Sequence, residues 1–400
     1  MTVRRVNAEE RLSTSFALGA YAFEASPRSA ARAEEFRGYL PYNEGNRTLV
    51  VEEGRTTLAA ASAIPMRQNL RGEVLPMAGV AGVATHPLAR RRGHVRTLLH
   101  RLLDEMRDEG HQLSALYPFR PSFYARFGYV GLPKPRTVTF SPADLGELLN
   151  ADLPGEVGWE RIGEGYRDWR AFTERCLNER HGFAIFPGYR DVGLRDRDEH
   201  WLLTARTGGT VTGALLYRID DHGGTLAAGD LLAADPLARA LMLQFFGRHV
   251  DQVERVTVQV PVDEVPELWL TDLAVHVEAR VARPSYAAPM ARLLSIDALA
   301  GLPVGPGRVR VELTGDRWLA GSYLLDGTTT GVLELVTGAA ATVGSLPTAT
   351  LTAAGLSALA YGVLDPVEVG LRGLGDVSTD AAAELRRLFP RQHPYVFADF

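Results

Sequence analysis

The segment Met77–Leu103, MAGVAGVATHPLARRRGHVRTLLHRLL, carries the densest chemistry in the sequence. An apolar run ends at Thr85, His86-Pro87 breaks it, Arg90-Arg91-Arg92-Gly93 follows, and an amphipathic segment opens near His94. A helix starting there leaves its first backbone N–H groups without partners and with partial positive charge. A pyrophosphate accepts those hydrogen bonds. Gly93 lets an anion approach the backbone, and the arginines add full charges beside it. As four letters RRRG reads more readily as a solvated basic turn; the order strand, basic turn, glycine, helix favours an anion cradle. No GKS or GKT follows, so it is not a Walker loop, and the G-x-G-x-x-G spacing of a dinucleotide fold is missing. His86, His94 and His100 lack the H-E-x-x-H pattern, so no metal site is expected. Cys176, the one cysteine, falls on an expected helix face and reads as core rather than nucleophile.

Regular elements must position this cradle. Apolar residues at Leu12, Phe16, Ala20 and Phe23 predict a helix over 8–24. Short strands are expected at 48–51 and 57–63 around Glu53-Gly54, then at 74–85 and 113–117. Val95, Leu98, Leu99, Leu102, Leu103 and Met106 form one stripe, so 95–109 is a strong helix ended by Gly110. The middle of the chain repeats this theme: strands at 201–205, 211–219, 225–233 and 256–260, with helices at 166–180 and 236–250. The recurring order suggests an internal duplication. Further on, a helix is expected over 284–299, a meander of strands at 308–313, 319–325, 330–335 and 340–343, and helices at 353–361 and 379–389. The tail Tyr395-Val396-Phe397-Ala398-Asp399-Phe400 is apolar where chain ends are usually polar and frayed, so it should be packed. Three units follow, 1–150, 151–285 and 286–400.

Composition bounds the function. The chain has 400 residues, 46% hydrophobic and 23% charged, an ordinary globular make-up and a length that suits two or three domains. A net charge of −5 argues against a general nucleic-acid surface. No long uncharged apolar stretch suggests a membrane span, and a single thiol cannot close an internal disulfide. The N-terminus lacks the apolar core of a secretory signal, so a cytoplasmic protein is expected.

The cradle resembles the acetyl-CoA loop of the GNAT acyltransferases, whose pattern is Gln or Arg, two residues, Gly, one residue, Gly or Ala. Arg90, Gly93 and Val95 stand at those places, Val95 departing from the small last residue. VATHPLARRRGHVRTLLH, then LYPFRPSFYARFGY, a long second α/β half and a terminal Phe together resemble the Eis ("enhanced intracellular survival") N-acetyltransferases of actinobacteria over the whole chain. The resemblance implies an α/β and α+β protein: two tandem GNAT-like domains, the second degenerate, then a domain like sterol carrier protein, assembled as a homohexamer. It implies acetyl-CoA as co-substrate, with Val83, Ala84 and Thr85 along the thioester and pantetheine and Arg91, Arg92, Gly93, His94, Val95 and Arg96 around the pyrophosphate. Phe119 and Arg120 fall at a further coenzyme place, where the family often has a small polar residue instead of Phe119. Tyr124 matches the general acid and Phe400 the residue whose α-carboxylate is the general base. Glu24 and Asp399 are candidates for binding the acceptor.

These roles are physically coherent. Acetyl transfer to an amine needs a deprotonated amine, a stabilised oxyanion and a proton for the leaving thiolate. A phenol, with a pKa of about 10, is close to an alkyl thiol and can donate to it. Backbone N–H groups near Val83 suit the oxyanion. A terminal carboxylate is a weak base unless buried, which the apolar tail would provide. On the residues alone Tyr124 reads more readily as a core aromatic, with Tyr117 and Tyr129 as alternatives for the acid. The counterpart of the cradle in the second half, LAADPLARALMLQFF, has Asp235 where a phosphate would sit, so that half should hold no coenzyme. The acceptor should be a primary amine, an aminoglycoside or polyamine-like molecule by the resemblance, with protein lysines as a further possibility. The rival from another class is a non-enzymatic lipid-binding or scaffold protein built on the C-terminal domain.

Overall fold

The computed structural model describes residues 2–27, 29–282, 285–338, 341 and 345–400. Two large sheets share one topology. The first contains β1 (Thr2–Val6), β2 (Arg47–Glu53), β3 (Thr56–Leu70), β4 (Glu73–Thr85), β5 (Leu113–Leu116) and β6 (Val130–Gly131). The second contains β7 (Arg136–Phe140), β8 (Glu156–Arg161), β10 (Trp201–Thr207), β11 (Thr210–Ile219), β12 (Thr225–Asp230), β14 (Arg255–Val260) and β15 (Val275–Glu278). Two short strands stand off these paths: β9 (Ala184–Ile185) on β3 and β13 (Leu232–Ala233) on β11. In each sheet the early strands pair antiparallel and one pair is parallel: β4 with β5, and β12 with β14. Each parallel pair is joined through a helix, His94–Asp108 in the first half and Pro236–Gly247 in the second. Parallel neighbours require such a crossover.

The strand pairing cuts across the expected divisions at 150 and 285. The place beside β5 is taken by β16 (Met290–Leu293), from beyond the second half, and the place beside β14 by β7, from before it. The two halves therefore exchange a strand. The helix expected over 284–299 is corrected by the same observation: Met290–Leu293 is a strand and Ile296–Leu299 a 3₁₀ turn. A short apolar run does not distinguish a buried strand from a helix, and all four residues of β16 are buried between β5 and β6.

The third sheet holds β17 (Arg308–Leu313), β18 (Gly321–Asp326), β19 (Glu334–Thr337), β20 (Thr348–Leu351) and β21 (Gly375–Val377). Three of the strands form the expected meander, but β20 returns to pair parallel with β17. The strand expected at 340–343 lies, except for Ala341, outside the described residues. The helix Ala353–Ala360 is buried throughout and bonded to the first half. Ser357 Oγ accepts from Leu293 N–H at 3.0 Å, and Tyr361 Oη donates to Gln68 Oε1 at 2.7 Å. Buried Arg71 donates to the carbonyls of Ala360, Leu359 and Pro390 at 2.6–3.1 Å. One apolar core runs without interruption from Met77 and Leu113 of the first sheet to Leu325 and Leu356 of the third unit. No helix among the described residues is long and apolar enough to cross a membrane.

Candidate active site

The site begins at an irregularity in β4. Ser62 pairs with Ala81 and Ala60 with Ala84, so β4 carries one residue more than β3 there. Gly82 absorbs this bulge with φ +60°, a conformation that favours glycine. The parallel pairing of β4 with β5 stops at Val80 and Leu116. Beyond it, Val80–Val83 and Tyr117–Phe119 line a common cavity of about 780 Å³.

The cradle follows. Arg91 has φ +64° and Gly93, the N-cap of the helix His94–Asp108, has φ +85° with no side-chain cap. Residues of this kind alternating with an ordinary one turn backbone N–H groups toward one point. The helix is held by Leu98, Leu99, Leu102, Leu103 and Met106, all buried. Arg90, Arg91, Arg92 and Arg96 are exposed and have no carboxylate partner among the described residues. His94 is 7% exposed, and its Nε2 is buried without a hydrogen bond. Val83, Ala84, Thr85, Arg91, Arg92, Gly93, His94, Val95, Arg96, Phe119 and Arg120 all line one cavity of about 950 Å³. Phe119 is part of its wall, 41% exposed and edge-on to Tyr124 at 5.4 Å.

Tyr124 ends the short helix Pro121–Tyr124, started by Pro121 at its first position, where proline is favoured. Its ring, 2% exposed, is set among Phe119, Phe123 and Tyr129. Burial pushes its phenol well above the ordinary value. Its hydroxyl makes no hydrogen bond among the described residues, and the residue lines the 780 Å³ cavity. The alternatives are engaged: Tyr129 bonds Ser114 Oγ at 2.7 Å and Tyr117 donates to the Ala398 carbonyl at 3.2 Å. Behind Tyr124, fully buried Arg292 of β16 bonds the Phe127 carbonyl and pairs with Asp316 at 2.9 Å. The exchanged strand and the third unit thus brace the turn that carries Tyr124.

The tail enters between the two halves. Tyr395 N–H donates to the His181 carbonyl at 2.9 Å, and Phe397 stacks on Phe183 with ring centres 4.5 Å apart. Phe400 packs edge-on to Tyr117 at 5.6 Å and lies across Gly79, where a Cβ would stand 2.7 Å from its ring. Phe400 and Asp399 line the same cavity as Tyr124. Burial raises the Asp399 carboxyl, with Lys134 opposing the rise. Glu24 lies elsewhere: it caps the helix Ser15–Phe23 and pairs with Arg32 at 3.0 Å. The second carboxylate in the cavity is Asp230, at the end of β12. Burial lifts it to about 6 although it accepts a hydrogen bond from Tyr395. Sequence reasoning missed Asp230. Its one signal is an acid closing the apolar strand TLAAGD.

In the second half the helix Pro236–Gly247 is closed to anions. Asp235 Oδ1 accepts the Ala238 N–H at 2.8 Å, occupying the helix terminus with its own charge. Cys176 packs against an apolar cluster, and burial pushes its thiol up to about 11.

Comparison with known proteins agrees with this geometry. Residues 2–131 match the family profile described as an acetyltransferase (GNAT) domain, and residues 164–293 match a second profile of the same description. An N-acetyltransferase of Streptomyces avermitilis is 32% identical over 339 residues, covering 72% of this chain and 77% of the relative. The chain belongs to the GNAT N-acetyltransferases. The N-acetyltransferase Eis of Mycobacterium tuberculosis is 36% identical over 252 residues, 58% of each chain. An N-acetyltransferase of Streptomyces coelicolor is 28% identical over 281 residues, 61% of this chain and 66% of the relative. The chain thus spans 58% and 66% of the length of these last two relatives. The fold extends over whole chains. A probable N-acyltransferase of Enterococcus faecalis superposes with a TM-score of 0.83 at 18% identity, covering 100% and 99% of the two chains. Eis1 of Mycobacterium abscessus gives 0.76 at 19% identity, with 100% of both covered. Acetyl-CoA is the acyl donor of the GNAT family.

Proposed function

We propose that this chain transfers an acetyl group from acetyl-CoA to a primary amine, with Tyr124 as general acid and the Phe400 carboxylate as general base. One observation carries this reading: the cradle cavity and the tyrosine-lined cavity share Phe23, Val83, Phe119 and Ser285. A coenzyme held on one side can therefore present its acyl end on the other. The residues suit that coenzyme, since an uncapped helix terminus and four unpaired arginines favour a pyrophosphate. Arg91, Arg92, Arg96 and the first backbone N–H groups of the helix would hold it, the Val83–Thr85 backbone would align the pantetheine arm, and the bound coenzyme supplies the acetyl thioester.

The chain's own groups then manage protons and charge. The reaction forms a C–N bond and breaks the C–S bond; the ammonium proton leaves to a base and the sulfur takes a proton from an acid. Burial that raises the Tyr124 phenol also raises a thiol in the same site, so the match between donor and acceptor is preserved. Asp230 and Asp399 supply negative charge that attracts the ammonium form of the acceptor. Phe400 lines the same cavity, and partial burial there would strengthen its carboxylate as a base. The second half, without a cradle, contributes Asp230 and a wall.

The resemblance adds an acceptor of the aminoglycoside or polyamine class, a homohexamer and a sterol-carrier-like C-terminal unit. The last is supported by a five-stranded sheet covered by helices. The deciding experiment measures acetyl-CoA affinity and the release of free CoA thiol with a panel of amines. Binding together with amine-dependent thiol release is expected. No coenzyme binding, with fatty acyl chains co-purifying, would overturn the reading in favour of a lipid carrier.

A further inference from the structure

Asp230, Phe397 and Asp399 also line another cavity, of about 850 Å³. Its walls include residues from the segment 32–43, the helix Ile162–Glu179 and the helix Gly188–Arg197. The charges there are unevenly matched. Arg32 pairs with Glu24 and Glu35, and Arg170 pairs with Asp191 at 3.0 Å and Glu174 at 2.7 Å. Arg190 and Arg197 have no carboxylate partner among the described residues. Arg190 donates to Asn43 Oδ1 at 2.8 Å and lies over the Phe186 ring at 4.5 Å. Arg197 stands over the Tyr39 ring at 5.3 Å. The neighbouring Asp196 is engaged by Arg195 and by the Tyr42 hydroxyl and also attracts Arg197, and the exposed Glu199 stands in the same wall. His200, in the same wall, has a buried Nδ1 without a hydrogen bond. Burial removes water from Arg190 and lowers its guanidinium below the ordinary value.

A desolvated cation without a counter-charge is costly, and an anion placed beside it offsets that cost. The guanidinium fork matches carboxylate and phosphate oxygens. The same cavity carries Asp230 and Asp399, which it shares with the tyrosine-lined cavity. A ligand reaching from those acids to Arg190 meets negative charge first and positive charge second.

We propose that the acceptor is a zwitterion: an amine whose ammonium group is held at Asp230 and Asp399 while a carboxylate or phosphate on the same molecule binds Arg190 and Arg197. This rests on the acetyl-transfer reading and replaces the polycationic acceptor that the resemblance adds, since a polycation would set a second ammonium group against Arg190.

The test compares four amines of one chain length by thiol release: aminocaproate, the phosphate monoester of aminohexanol, the uncharged aminocaproamide and hexamethylenediamine. A charge-assisted hydrogen bond implies that kcat/KM for the better of the two anionic acceptors exceeds that for the amide by about tenfold or more. In Arg190→Gln this ratio should fall close to one, with acetyl-CoA affinity unchanged as evidence of an intact fold; should that variant not fold, Arg197→Gln carries the same comparison. Whichever anionic acceptor is preferred identifies the anion. An amide or diamine used as well as both anionic acceptors, or a ratio untouched by either substitution, overturns the proposal and leaves acetyl transfer standing. No thiol release with any amine overturns both.

Discussion

The position of residue 400 can be perturbed from beneath. Gly79 lies mid-strand in β4, paired with Ile64 and Ala115, and the Phe400 ring rests on it. A Cβ at Gly79 would stand 2.7 Å from Cδ2 and Cε2 of that ring and 3.1 Å from Met66 Sδ. Carbon atoms in contact sit about 3.5–4.0 Å apart, so in Gly79→Ala the ring must withdraw by roughly 1 Å. Met66 belongs to the core and closes one way out. The proposed base is the carboxylate of the residue that moves, and an error of about 1 Å in a reacting group costs on the order of 10²-fold in rate. The expectation is a kcat lower by about 30- to 100-fold with KM for acetyl-CoA within a factor of two, because the cradle is not touched. Overpacking costs about 1–3 kcal/mol, partly offset by the lower chain entropy of alanine in the unfolded state, so the melting temperature should fall by only a few degrees. Gly131→Ala is the control, since a Cβ there has nothing within 4 Å. Initial rates of thiol release and a thermal melt on the same preparations are sufficient. If Gly79→Ala turns over like the control while its melting point drops as expected, the strain was absorbed without consequence for chemistry, and Phe400 is not the base.

Three further outcomes follow from the same geometry. Tyr124→Phe should lower kcat by about 10²- to 10⁴-fold, the usual worth of a positioned general acid, while calorimetric acetyl-CoA affinity stays nearly constant; wild-type turnover would return the role to another group. Arg91→Ala combined with Arg92→Ala should raise KM for acetyl-CoA by about tenfold or more and flatten its salt dependence; an unchanged KM would make the basic turn a solvated loop. Asp230 is raised to about 6 in the folded state, against about 3.9 when unfolded. Between those values the native state holds a proton that the unfolded chain has lost, so its contribution to stability falls as pH rises. Asp230→Asn should therefore match the wild type below about pH 4 and be the more stable protein above about pH 6, by at most about 3 kcal/mol and less because cavity water reaches the group. Urea melts across that range check the sign, and equal stability at every pH would show that the carboxylate pays no burial cost.

The parts of the site legible in the sequence were the contiguous ones. The cradle lies within one strand, turn and helix, and each of its features has a local cause: the glycine at positive φ, the proline break and the apolar stripe under the helix. Most strands and helices followed from periodicity for the same reason. The parts that were not legible depend on distant segments. Asp230, Arg190 and Arg197 become cavity residues only because the halves face each other, and no local pattern sets them apart from other acids and arginines. The strand Met290–Leu293 read as helix because its residues are buried on both sides, which removes the alternation that marks a half-exposed strand. Glu24 follows Phe23, a residue of both cavity walls, and pairs with Arg32.

The strand exchange explains why a half without a cradle persists in the architecture. Detaching the second half would take β7 and β15 from one sheet, and detaching the third unit would take β16 from beside β5 together with Arg292, which braces the Tyr124 turn. The tail adds a second constraint, because Phe397 stacks on Phe183 of the second half while Phe400 rests on Gly79 of the first. Loss of either contact loosens the tail residues that line the cavity with Tyr124, although neither contact touches the cradle. Mutations at these joints should therefore lower turnover more than coenzyme affinity. Those in the cradle should do the reverse, so the ratio of the two effects reports which joint a substitution has disturbed.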